Sequence, residues 1–337
     1  MMMIRFIDLF CGIGGFRYGM EGACRSLGIK HQCVFSSDID PACRMSYAEN
    51  FHELPYGDIT KIDAYTIPDF EVLLGGFPCQ SFSIIGNRKG FEDTRGTLFF
   101  DIARILSVKR PKMFVLENVK QLIGHNQGET LKTIVNVLRD MGYAVEYLLL
   151  NALDFGLPQK RERIWIIGSL HGLDNFSLPT KKIMSKSLDD ILEKEVPESL
   201  YASSKIQANR KEKIKTIPRE TTIWHENKSG SVSAHPYSCA LRAGASYNYL
   251  LVNGERRLSS REMLRLQGFP ESFKITVSES QLRKQAGNSL PVNVAEVVIK
   301  SLLLSQEELD GVTSKVKNSR KIYTALPTES FSEQYCM

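Results

Sequence analysis

An α/β fold with a second, smaller region of irregular or β character is predicted by three observations. Near the N-terminus an apolar strand pattern at residues 4–10 runs into Cys11-Gly12-Ile13-Gly14-Gly15 and then a helical pattern at 16–27. Strand, glycine loop and helix in that order form a nucleotide-cofactor signature, because glycines let the backbone approach a ligand closely. Compact apolar runs at 70–74 and 112–116 read as buried strands and alternate with helical patterns at 97–108 and 130–141. Periodicity then fades between 169 and 254 and returns from 258.

A chain of 337 residues can bury a sizeable core and form two domains. Its 42% apolar and 24% charged content is that of an ordinary soluble protein. No apolar run reaches membrane-span length, and Met1-Met2-Met3-Ile4-Arg5 leads straight into a strand, so neither a signal peptide nor a membrane anchor is expected. The seven cysteines (Cys11, Cys24, Cys33, Cys43, Cys79, Cys239 and Cys336) are scattered and include no Cys-x-x-Cys pair. That pattern supports neither a disulfide framework nor a zinc or other metal site, and it points to a reducing, intracellular compartment. A net charge of +5 permits a nucleic-acid partner without demanding one.

In chain order, a strand at 32–36 ends in Ser37-Asp38-Ile39-Asp40. An acid at the end of the second strand of such a unit accepts from ribose hydroxyls, which makes Asp38 the first choice, with Ile39 placed to cover an adenine face. Asp40 precedes Pro41 and reads as the cap of a helix at 41–50. Asp58, in Gly57-Asp58-Ile59-Thr60, is either an acceptor for an adenine amino group with Ile59 beside it or a plain turn residue. The strand at 70–74 stops at Gly75-Gly76 and continues Phe77-Pro78-Cys79-Gln80-Ser81-Phe82-Ser83. Pro78 fixes φ and presents Cys79 past the carboxyl end of a strand, where α/β sheets bind ligands. A thiolate is the strongest side-chain nucleophile near neutral pH.

The loop at 81–96 holds Gly86, Gly90 and Gly96 as hinges, with Arg88, Lys89 and Arg95 suited to phosphates, and reads as a lid. The strand at 112–116 ends in Glu117-Asn118-Val119. If both strands are parallel, Glu117 shares a sheet edge with Cys79, and a partly desolvated carboxyl there holds a proton near neutral pH. A strand at 143–150 and a turn at 155–158 precede Gln159-Lys160-Arg161-Glu162-Arg163 and a strand at 164–168. Alternation puts Arg161 and Arg163 on one side of it.

The region after 168 carries a basic run at 205–215, then Trp224-His225, Arg242-Ala243-Gly244-Ala245 and Tyr247-Asn248-Tyr249. Basic and aromatic residues with glycines suit a nucleic-acid surface, although the lysine run alone fits a solvated face equally well. A helix at 258–266, capped by Ser259 or Ser260, ends at Gly268-Phe269-Pro270. Gln285-Ala286-Gly287-Asn288-Ser289 reads as a turn, and 291–304 as an apolar helix returning to the first domain. The expected organisation is 1–168, first part of the catalytic and cofactor domain; 169–255, recognition domain; 256–304, return to the first domain; and 305–337, an appended polar tail.

These stretches together resemble the cytosine-5 DNA methyltransferases, in order and over about residues 5–304. The matching segments are Phe6-Ile7-Asp8-Leu9-Phe10-Cys11-Gly12-Ile13-Gly14-Gly15, Pro78-Cys79-Gln80, Glu117-Asn118-Val119, Gln159-Lys160-Arg161-Glu162-Arg163, Arg261-Glu262 and Gly287-Asn288-Ser289. The resemblance implies a Rossmann-like, S-adenosylmethionine-dependent methyltransferase domain with a smaller target-recognition domain. It implies a cofactor pocket of Phe10, Gly12, Ile13, Gly14, Gly15, Asp38, Ile39, Asp58, Ile59, Gly76, Pro78, Leu98, Asn288 and Ser289. It also implies Cys79 as nucleophile, Glu117 as the acid at cytosine N3, and Arg163 at cytosine O2 with Arg161 beside it. Gln80, Ser83, Ile85, Arg88, Lys89 and Arg95 would meet DNA, Ile85 as a wedge toward the gap left by the flipped base. Ile39 departs from the family pattern, where many members carry Trp.

What the resemblance implies for partners is double-stranded DNA, no membrane, a monomeric state, a cytoplasmic, nucleoid-associated location and a separately acting restriction endonuclease. The tRNA-methylating branch of the same fold carries a Cys-Phe-Thr motif in its recognition region, which this sequence lacks. An inactive relative would lack Cys79 or Glu117, and both are present. A nicotinamide oxidoreductase is disfavoured by the glycine spacing. For base contacts the candidates are Arg242, His225, Lys228 and Asn248.

Overall fold

The computed structural model describes residues 3–78, 98–179, 183, 186–214 and 216–306. The first half alternates strand and helix: β1 (Met3–Leu9), α1 (Gly15–Leu27), β2 (Lys30–Ser37), α2 (Pro41–Phe51), β3 (Val72–Gly76), α3 (Leu98–Lys109), β4 (Met113–Val119), α4 (Glu129–Asp140) and β5 (Ala144–Asn151). There follow β6 (Gln159–Lys160), β7 (Glu162–Ser169), α5 (Ser204–Glu212), β8 (Ile223–Glu226), β9 (Val232–His235), β10 (Ser238–Cys239) and β11 (Leu250–Val252). Three helices close the described chain: α6 (Ser260–Leu266), α7 (Glu279–Asn288) and α8 (Val292–Ser305).

Six strands make one sheet in the order β2-β1-β3-β4-β7-β5. Neighbours from β2 to β4 are parallel, and β7 runs antiparallel to both β4 and β5. Alternation along each strand divides the core between the two faces. Phe6, Leu74, Val115, Trp165 and Ile167 pack with Phe16 and Met20 of α1 and with Val294 and Val298 of α8. Ile7, Leu73, Phe114, Leu116 and Ile166 pack on the other side with Ile102 of α3 and Ile134 of α4. Both faces are covered, so these strands read as nearly continuous apolar runs. Parallel β3 and β4 place Gly76 opposite Glu117 at one sheet edge.

The smaller region has its own antiparallel sheet, β11-β8-β9, and a core of Ile223, Leu241, Tyr249, Leu250 and Val252. Met263 and Leu266 of α6 and Ala286 of α7 join that core, while Leu264 and Leu282 pack with Ile13 and Cys43 of the first region. The two helices thus tie the regions together, and α8 alone of the last three lies on the large sheet. Among the described residues, no helix is long and apolar enough to cross a membrane.

Two local expectations change. The stretch read as a turn at 285–289 is the last turn of α7, which is capped by Ser278 and buries Leu282, Gln285, Ala286 and Gly287. Its polar and small residues hide the helical period because the buried partners are themselves backbone and polar groups. The basic run is helix α5 with a structural member: Arg210 is buried, pairs with Glu226 and donates to the Asn248 carbonyl at 2.9 Å. Lys213 meets the same Glu226 at 3.2 Å, so part of this positive charge is neutralised within the chain.

Candidate active site

The site forms where the carboxyl ends of β1 to β4 meet the loops that follow them. After β1 the chain turns through positive φ at Phe10 (55°), Gly12 (54°) and Gly14 (87°). A side chain at Gly14 would meet the Phe51 ring 2.2 Å from its Cβ, whereas a Cβ at Gly12 would meet nothing within 4 Å. The loop is thus packed tightly underneath and open above, as a cradle for a ligand requires. Asp38, past the end of β2, accepts from Gly12 N at 2.8 Å and Asp40 N at 2.8 Å, one bond at each carboxylate oxygen. Each oxygen keeps lone-pair capacity for a hydroxyl. Burial pushes the Asp38 carboxyl up, and the two backbone N–H groups hold it back.

Beside it Ile39 is 72% exposed, an apolar side chain left facing outward at the loop. Asp40 caps α2 through Ala42 N and Cys43 N and pairs with Lys284 at 2.8 Å. Gly15 packs on Ser289 and Leu290, which brings the segment after α7 to the same loop. Asn288 is exposed there, and Ser289 and Leu98 are half-buried.

The structure gives three of the pocket candidates other contacts. Asp58 caps a short 3-10 turn, Ile59–Lys61, with Oδ1 accepting from Thr60 N at 3.1 Å and Thr60 Oγ1 at 2.8 Å. Those bonds hold its carboxyl below the usual range. Ile59 is only 4% exposed and packs in the core, so its side chain offers little surface to a ligand. Ile13 likewise points into the core with Phe269 and Leu282, leaving its backbone to the loop.

The catalytic edge is built on β3, β4 and β7. Glu117 is buried on β4, and Arg163 Nε donates to its Oε1 at 2.9 Å from the neighbouring strand. Burial raises the Glu117 carboxyl, opposed by the charges of Arg163 and Arg161. Next in sequence, Asn118 donates from Nδ2 to the Phe77 carbonyl at 2.9 Å. This bond anchors the turn after Gly76, and Phe77 itself is buried beside Phe99. Asn118 belongs to a recognisable segment, yet nothing local signals this bond to a residue 41 positions away. Pro78 is exposed at the end of this turn. Cys79, Gln80, Ser83, Ile85, Arg88, Lys89 and Arg95 lie outside the described residues, as do the rest of the stretch 81–96 read as a lid and the chain beyond 306.

Arg161 takes a different place from Arg163. It is 1% exposed, and its guanidinium donates to the carbonyls of Leu241 (2.8 Å), Gly287 (3.1 Å) and Ser289. Burial and the nearby Arg163 lower its pKa to about 9, with Glu117 opposing. Its guanidinium thus ties the smaller region at Leu241 and the end of α7 to the segment before β7.

Gln159 adds to the tie, accepting from Leu241 N at 3.1 Å and donating to the Leu266 carbonyl at 2.8 Å. Gln267 donates to the Ala286 carbonyl at 2.6 Å. Sequence reading did not single out these glutamines. A buried Gln has no pattern of its own, and the only signal is that Gln159 opens the Gln-Lys-Arg-Glu-Arg segment.

Gly287 permits the approach, since a Cβ there would fall 2.3 Å from Ala243 N and 2.7 Å from Arg242 C. Both neighbours are backbone, which cannot swing aside. Gly287→Ala is expected to destabilise the protein by roughly 1–3 kcal/mol, read as a lowered midpoint in urea titration. A variant as stable as the parent would show that the two segments are not locked together.

The family model of C-5 cytosine-specific DNA methylases matches residues 4–304. The chain is 52% identical over 302 residues to the Type II methyltransferase M.NgoBI of Neisseria gonorrhoeae, covering 88% of this chain and 92% of that protein. It is 50% identical over 322 residues to the Type II methyltransferase M.HaeII of Haemophilus aegyptius, covering 95% and 96%. Among solved structures, the S. pombe Dnmt2 methyltransferase is similar in fold, with a TM-score of 0.67 at 23% identity over 90% of this chain and 98% of that one.

Proposed function

The chain belongs to the C-5 cytosine-specific DNA methylase family and is a DNA cytosine-5 methyltransferase; from that premise we propose that it uses S-adenosylmethionine to methylate a cytosine flipped out of a short specific duplex sequence, as the modifying partner of a restriction–modification system. The observation that carries the site assignment is the buried Glu117–Arg163 pair lying opposite Gly76 in the sheet. The restriction–modification context rests on the relatives, which are named Type II methyltransferases. A monomer, acting separately from its endonuclease, belongs to the same proposal.

The residues present fit the methyl donor. The open face above Gly12 admits a ligand, the spare lone pairs of Asp38 suit ribose hydroxyls, and exposed Ile39 suits an adenine face. Phe10, Gly14, Gly15, Gly76, Pro78, Leu98, Asn288 and Ser289 would border it. When bound, S-adenosylmethionine supplies an electrophilic methyl group to C5.

The chain's own residues make C5 able to take it. Cytosine C5 is a poor nucleophile until the Cys79 thiolate adds to C6. The new S–C6 bond sends the ring electron pair toward N3, and Glu117 gives N3 its proton, leaving an enamine nucleophilic at C5. Arg163, already fixed by Glu117, directs its remaining N–H groups to the cytosine O2. After methylation C5 loses its proton to water, the S–C6 bond breaks so that Cys79 leaves as thiolate, and N3 returns its proton to Glu117, restoring the aromatic ring. C6 is hidden inside a base stack, so the cytosine must leave the duplex first.

The test is incubation with labelled S-adenosylmethionine and either unmethylated bacteriophage DNA or bulk tRNA, followed by bisulfite mapping. Label in DNA at one recurring short sequence is the expected result. Label confined to tRNA, or in neither, would overturn the reading. The pocket makes a further prediction. Ile39→Trp should tighten binding of S-adenosylhomocysteine by about 2- to 10-fold through ring stacking, measured by calorimetry, with DNA affinity unchanged. No gain would remove Ile39 from the adenine face.

A further inference from the structure

A groove in the smaller region is lined by Arg242, Tyr247, Tyr249, Arg257, Glu279 and Arg283. Three guanidinium groups lie over two phenol rings here: Arg242 is 4.9 Å from the Tyr249 centroid, and Arg257 and Arg283 are each 4.8 Å from that of Tyr247. The arginines are not equivalent. Arg283 donates to the carbonyls of Ala245 and Ser246, and Arg257 to Asn248 Oδ1 and the Ser199 carbonyl. Those two shape the loop at 245–248. The Arg242 guanidinium is exposed and makes no hydrogen bond or ion pair among the described residues, resting only against a ring.

An exposed arginine on a loop is ordinarily a solvated one, but Arg242 has an unusually fixed base. Its own N–H donates to Tyr249 Oη at 2.9 Å. The preceding Leu241 is held at both backbone groups, by Gln159 and by Arg161. On the far side the Arg242 carbonyl carbon abuts Gly287. Backbone and side chain are thus both positioned before any ligand arrives, one residue away from the Arg161 tie to the catalytic strand. A guanidinium presented as a free planar fork matches the O6 and N7 acceptors of guanine in the major groove. The same fork fits a phosphate, which carries no sequence information, and the test below separates the two.

We propose that Arg242 reads a guanine of the recognition sequence and is a specificity-determining residue of the enzyme. This rests on the reading of the chain as a sequence-specific DNA methyltransferase.

The test begins with the wild-type methylation pattern on bacteriophage DNA, which defines the preferred sequence. Arg242→Lys and Arg242→Ala are then assayed on duplexes carrying each base at each position of that sequence. Neither change removes a hydrogen bond, because the Tyr249 Oη bond comes from the backbone, and lysine keeps an apolar stem and a charge over the Tyr249 ring.

At one guanine position, both variants should lose about 10- to 100-fold of the wild-type preference, with the other positions still discriminated. Lysine should not rescue, since an ammonium cannot make the paired contact. A uniform fall across all duplexes, rescued by lysine and with a shallower salt dependence, would make Arg242 a phosphate contact and overturn the proposal. Unchanged rate and preference would also overturn it. Wild-type protein that labels no DNA would overturn the functional reading itself, a result distinguishable from either.

Discussion

Cys79→Ala is expected to lower methyl transfer by on the order of 10⁴-fold or more, while duplex binding survives. The nucleophile has no substitute in this chain's described thiols. Burial pushes Cys24, Cys33 and Cys43 up to about 12, Cys11 well up, and Cys239 up against the pull of Lys160 and Arg242, so all five stay protonated near neutral pH. Just before Cys79 in sequence, Asn118 anchors Phe77 and Gly76 pairs with the buried acid. Single-turnover transfer of labelled methyl, alongside a gel-shift titration, separates the two properties. Appreciable turnover by the alanine variant would remove Cys79 from its role, and joint loss of binding would make it a structural residue instead.

Glu117→Gln is expected to lower the rate by roughly 10²- to 10⁴-fold, the range of a lost general acid. The amide oxygen still accepts from Arg163 Nε, so geometry is preserved and the missing proton is isolated as the cause. The pH dependence has a definite sign. Burial raises the carboxyl in the folded protein, against the pull of Arg163 and Arg161. The folded state then holds this proton more tightly than the unfolded chain. Its contribution to stability is complete below the ordinary carboxylate range and is lost as pH rises through the raised value.

The acid form needed at N3 disappears over the same window. Wild-type single-turnover rates should therefore fall on the alkaline side of that window, and the Gln variant should lack this limb. Identical pH profiles for the two proteins would sink the assignment of Glu117 as the acid.

Much of the fold was legible locally. The apolar runs at 70–74 and 112–116 became β3 and β4, and the glycine loop stands between β1 and α1. Those elements announce themselves through period and turn chemistry, which depend on near neighbours. Asp40 before Pro41 is a helix cap by the same local rule. The apolar character of Ile59 suits a core or an adenine face equally, and its burial in the core cluster is a fact of packing that the local sequence does not carry. The helical end of α7 was missed because its buried face meets backbone at Arg242 and Ala243, leaving no apolar stripe to read.

By itself the sequence determined the α/β class, the glycine loop and the family. Tertiary structure decided what each charged group is for. Arg161 and Arg163 are two residues apart and alike in type, yet one binds Glu117 and the other binds the carbonyls of Leu241, Gly287 and Ser289, 80 to 128 positions away. Arg210 and Arg242 are both basic residues of the smaller region, but the guanidinium of one is consumed by Glu226 and that of the other makes no hydrogen bond among the described residues. Periodicity records which face of an element is buried. It holds no record of the partner that a long polar side chain will find, since that partner is brought within reach only when distant segments pack.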